Sequence, residues 1–83
     1  MRALLGFVSI VASRLRIYQI LGETIRQERM QAGFSQEELA EKTNLSRNYI
    51  GQIERAEKRI HLETLAQIAN ALNLRVRDLT RDI

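Results

Sequence analysis

The sequence predicts a compact all-α domain, and three observations carry that expectation. No run alternates apolar and polar residues long enough to make a half-buried strand. Proline is absent and the four glycines stand isolated, so little interrupts helical stretches. Leu, Ile, Ala, Glu, Arg and Gln dominate, all good or tolerable helix formers. With 83 residues the chain makes one domain. A chain of this size buries only about 60–65% of the surface its unfolded form exposes. Association with a second copy is therefore an expected source of added stability.

The elements follow in chain order. Within residues 1–20, Arg2, Gly6, Ser9, Ser13 and Arg16 recur at helical spacing as a narrow polar stripe. Leu4, Val8, Val11, Leu15 and Tyr18 mark another side. This pattern predicts an amphipathic helix whose Leu4/Val8/Val11/Leu15 side needs cover from the body or a partner. Two other readings stay open: a secretory leader, with a basic start, an apolar run and small residues, and a helix lying on a membrane surface. A spanning helix is excluded, because about 20 apolar residues are needed and Arg14 and Arg16 interrupt the run. The preferred expectation is an apolar helical extension over 1–20, retained and docked, ahead of a compact unit over 21–83.

A helix is predicted over 21–32, with Ile25 inward and Gly33 as its left-handed stop. Ser35 caps the next helix, and Glu38 three residues on completes a capping box. That helix buries Leu39 and Ala40 and ends near Thr43, where Asn44 tolerates positive φ. Ser46 caps a third helix, ending near Arg55, with Ile50 and Ile53 inward. After a charged loop over 56–59, a fourth helix over 62–72 buries Leu65, Ile68, Ala69 and Leu72. Asn73 marks its exit, and a last short helix runs over 76–82.

Several function classes fall away. There is no cysteine, hence neither a disulfide framework nor a thiolate metal site. The single His61 has no companion ligands for a structural zinc, and no cofactor or metal is expected. Nor does the chain show a nucleophile arrangement, a Gly-rich phosphate loop or a carboxylate dyad, so an enzyme is not expected. The net charge is +3, but the whole excess lies in residues 1–20, which carry three arginines and no acid. Bulk charge therefore decides nothing, and the positions of individual side chains must.

The informative stretch is 36–54: two short helices joined by a three- or four-residue turn, which sets them at a steep angle. Ala40 supplies the small side chain such a crossing requires, and Asn44 the positive φ of the turn. With Ile50 and Ile53 inward, the third helix exposes Arg47, Asn48, Gly51, Gln52 and Arg55, with Tyr49 at the edge. Arginine and the amide side chains carry the paired donors and acceptors that match guanine and adenine edges in the major groove.

The run from Ser35 to Glu54, SQEELAEKTNLSRNYIGQIE, resembles the Cro and phage-repressor class of helix-turn-helix proteins. Within that class, Asn44 to Ile50 together with Ile53, Glu54 and Arg55 are most similar to restriction–modification controller proteins. Those are small dimers that time expression of an endonuclease relative to its methyltransferase. The resemblance spans residues 21–79. It implies a five-helix repressor-type domain, here with an additional N-terminal amphipathic helix. It departs from the pattern at Asn44, where a glycine is usual, and in the length of the apolar extension.

The resemblance also implies roles. Arg47, Asn48 and Gln52 face base edges; Ser35, Gln36, Ser46, Tyr49, Arg55 and Arg59 meet phosphate. Arg29 and Glu54 form a buried ion pair locking the first helix to the third. Leu74, Val76 and Leu79 are expected at a dimer interface, since so small a chain cannot enclose them all. The implied partners are double-stranded DNA and a second copy of the chain, with neither metal nor membrane. The implied function is a cytoplasmic, nucleoid-associated transcription regulator acting as a homodimer on a near-palindromic operator. A DNA-binding antitoxin and a phage-type repressor are the alternatives, and an interaction or membrane-surface module using the N-terminal helix is a further one.

Overall fold

In the computed structural model the backbone is described from Arg2 to Ile83 and side chains from Leu15 to Ile83. Five helices follow one another: α1 (Arg2–Gln31), α2 (Gln36–Thr43), α3 (Arg47–Glu54), α4 (Leu62–Ala71) and α5 (Val76–Leu79). No strand occurs among the described residues. The extension and the first helix of the domain, expected as two elements, are one continuous helix. No proline or cap divides them, and Gly22 alone only weakens a helix by about 1 kcal/mol. Leu4, Val8 and Val11 lie outside the described side chains. Leu15, expected to be covered by the body or by a partner, is 61% exposed on the single chain.

Short-range chemistry fixes the helix ends. Ser35 Oγ accepts from the Glu38 amide while the Glu38 carboxylate accepts from the Ser35 amide, each at 3.0 Å, closing the capping box of α2. Ser46 Oγ accepts from the Tyr49 amide at 3.0 Å and starts α3. At the other ends a single device recurs. The residues at the exits of α1 to α4 are left-handed: Gly33, Asn44, Ala56 and Asn73. Each is followed by an amide that bonds back to a carbonyl five residues earlier, Phe34 to Arg29, Leu45 to Ala40, Glu57 to Gln52 and Leu74 to Ala69. This Schellman arrangement satisfies carbonyls that a helix end would otherwise orphan. The fifth helix stops at Leu79, short of its predicted end, with the Thr80 hydroxyl turned back to the Val76 carbonyl.

The core joins all five elements. Ile25, Leu39, Ile50, Ile68 and Leu79 are fully buried, with Leu21, Ala40, Ile53, Leu65, Ala69 and Leu72 around them. Gly22 lets α1 lie against the end of α3. A Cβ at that position would stand 2.5 Å from the Ile53 carbonyl oxygen and 2.7 Å from that of Glu54. An ion pair between Arg81 and Glu28, at 3.0 Å, fastens the turn after α5 to α1. Among the described residues, no helix is long and apolar enough to cross a membrane.

Candidate nucleic-acid interface

Helices α2 and α3 pack directly on each other, with the small Ala40 buried and Leu39 and Ile50 completely enclosed. Beneath them sits a closed polar cluster. Arg29 Nε donates to Glu54 Oε2 at 2.7 Å, and Nη2 donates to Oε1 at 3.1 Å. The third arm, Nη1, donates to the Phe34 carbonyl at 2.8 Å. Arg29 therefore ties α1 at once to the end of α3 and to the turn that leads into α2. Both charged side chains are buried, so each depends on the other for solvation it has lost. Gln36, in the first turn of α2, adds its Nε2–H to Glu54 Oε1 at 3.0 Å. Gln36 is thus a member of this cluster, a role the sequence reading does not contain.

On α3 the outward side chains follow the helical repeat. Arg47 and Asn48 are exposed at its first turn, with Gln52 and Tyr49 half-buried beside them and Arg55 exposed at its end. Gly51, expected on the exposed face, is buried. The Arg55 guanidinium lies over it, 2.9 Å from where a Cβ would be, with Gln36 Oε1 at 3.6 Å. Ser35 and Ser46 spend their oxygen lone pairs on helix amides and keep their hydroxyl hydrogens.

Two of the outward arginines are paired with acids. Arg47 Nε stands 2.7 Å from Glu37 Oε1 across the α2–α3 crossing. Arg55 Nε donates to Glu57 Oε2 at 2.6 Å. The hydrogen bond to Arg55 holds the Glu57 carboxyl below its usual range, and the same bond holds the Arg55 guanidinium above its own. Arg59 is exposed and lines an apolar recess with Leu15, Ile17 and Tyr18, beside α1.

The remaining sequence expectations divide. Leu74 and Val76 are half-buried, leaving some surface for a neighbour. Leu79 leaves none: it is fully enclosed by its own chain, so it cannot anchor a dimer. The α4–α5 turn folds it into the core, which sequence periodicity over four residues cannot reveal. His61 precedes α4 without a side-chain cap bond. Among the described residues no three His, Cys, Asp or Glu side chains gather as metal ligands would.

Comparison with known proteins places this geometry in company. Residues 25–79 match the helix-turn-helix family. The control protein C.SmaI of Serratia marcescens is 47% identical over 60 residues, which span 72% of this chain and 71% of that protein. The control protein C.BamHI of Bacillus amyloliquefaciens is 36% identical over 61 residues, spanning 72% and 75%. The crystal structure of the restriction–modification controller protein C.AhdI from Aeromonas hydrophila superposes with a TM-score of 0.73. It is 34% identical and covers 75% of this chain and 94% of that one.

Proposed function

Because the chain belongs to the helix-turn-helix family, we propose that it regulates transcription by binding double-stranded DNA as a homodimer on a near-palindromic operator. The observation that carries this reading is the outward face of α3. Arg47, Asn48 and Gln52 stand on a helix whose other side is locked by Ile50, Ile53 and the Arg29–Glu54 pair. These side chains read base edges in the major groove. The amides at the start of α2, the hydroxyls of Ser35 and Ser46, Gln36 through the second Nε2–H that Glu54 leaves free, Tyr49, Arg55 and Arg59 face the flanking phosphates. Likeness to three control proteins supports a controller role in a restriction–modification system.

Leu74 and Val76 are the anchors proposed for the two-fold contact. A two-fold axis there sets the two α3 helices about one DNA turn apart, roughly 34 Å. Selection from a randomised duplex library tests the proposal. Enrichment of a near-palindromic site is expected. Recovery of duplexes no more related than the input overturns it.

A further inference from the structure

We propose that Glu37, on α2, is a specificity determinant for Arg47: its carboxylate aims the guanidinium at a base edge and disfavours its settling on phosphate. This rests on the reading of Arg47 as a base reader. The ion pair joins two side chains that are each 64% exposed. In water such a pair contributes about 0–1 kcal/mol, too little to explain the fold. The α2–α3 crossing is held without it, by the buried Leu39, Ala40 and Ile50. Nor is Glu37 occupied in capping, which is the work of Glu38.

What the pair does change is the freedom of Arg47. The carboxylate approaches at Nε, so Nη1 and Nη2 remain as the end-on fork that matches O6 and N7 of guanine. An unbraced arginine at the first turn of α3 would have many rotamers, and a nearby phosphate would attract it regardless of sequence. A carboxylate carried on the rigid first turn of α2 restricts those rotamers and repels phosphate. Its hold tightens as the groove expels water and screening falls. The Arg55–Glu57 pair at the other end of α3 is the natural contrast. It also neutralises an arginine, but one proposed to hold phosphate, so its acid carries no sequence information.

The experiment measures binding of wild type, Glu37→Ala, Glu37→Gln, Glu57→Ala and Arg47→Ala to the selected site. Each is also tested on the single-base-pair variants of that site and on an unrelated duplex. A bidentate reader discriminates by about 5- to 150-fold at its base pair. Glu37→Ala is expected to reduce that discrimination to within about 3-fold while tightening binding to the unrelated duplex. Its melting temperature is expected to fall by no more than about 4–8 °C, the shift that a loss of up to about 1 kcal/mol produces in a domain of this size. Glu37→Gln, which keeps an oxygen acceptor but no charge, is expected to fall between. Glu57→Ala is expected to tighten all duplexes alike. If Arg47→Ala loses discrimination while Glu37→Ala keeps it, the inference about Glu37 is overturned and the reader stands. If Arg47→Ala itself discriminates as wild type does, the reader assignment fails and takes this inference with it.

Discussion

At the scale of single residues, the Arg29–Glu54 pair decides most. Removing one member leaves a buried charge without a partner, so Glu54→Ala is expected to cost roughly 3–5 kcal/mol in thermal or denaturant unfolding. A loss within experimental noise would contradict the role given to the cluster. Gln36 differs from a pure phosphate contact because its Nε2–H is bonded to Glu54. Gln36→Ala is therefore expected to lower stability by about 1 kcal/mol as well as weaken binding to every duplex alike. Arg55→Ala is expected to flatten the salt dependence of binding by about one unit per half-site, since a charged phosphate contact is lost. These residues show what the sequence could not disclose. The buried pair follows from a motif and is legible by resemblance. The acids that face Arg47 and Arg55 are not, because whether two exposed side chains meet depends on how their backbones cross or turn.

At the scale of elements, the four Schellman endings explain both what was legible and what was missed. Glycine and asparagine tolerate a left-handed backbone, so Gly33, Asn44 and Asn73 announce their turns in the sequence. Ala56 does not, yet it holds φ 59°. Ala56→Gly is expected to stabilise the protein by about 1 kcal/mol, the strain of a left-handed alanine outweighing the added freedom of the unfolded chain. The opposite sign holds at Gly22, where alanine would gain about 1 kcal/mol of helix propensity. The new Cβ would meet two backbone carbonyls of α3 that cannot turn aside, so Gly22→Ala is expected to cost about 1–3 kcal/mol overall. Nothing in the sequence marks this glycine, because a close approach depends on which two helices cross there.

Capping adds a pH dependence at the same scale. The Ser35 amide, then the Ser35 hydroxyl, hold the Glu38 carboxyl below its ordinary value of 4.5. A depressed carboxyl stabilises the fold above that ordinary value, and the contribution fades as pH falls through the lower native one. The melting temperature of wild type is thus expected to exceed that of Glu38→Gln near neutrality and to converge with it in acid. A gap that stays constant would contradict the assignment.

At the scale of the whole molecule, all five helices meet in one core, and α3 turns Arg47, Asn48 and Gln52 away from it while Glu54 points inward to Arg29. Periodicity alone located nearly all of that core, since Ile25, Leu39, Ala40, Ile50, Ile53, Leu65, Ile68, Ala69 and Leu72 are buried where their spacing puts them inward. Leu79 shows the limit of that method, because only the completed fold reveals which apolar residue is covered by its own chain. The half-buried Leu74 and Val76 remain as the proposed contact with a second copy. In the proposed dimer, two copies present α3 to successive major grooves on one side of the duplex. Hydroxyl-radical footprinting of the selected site tests this arrangement most directly. Two protected patches related by a dyad, about 34 Å apart on one face, are the predicted result; a single patch, or even protection along the duplex, would contradict it.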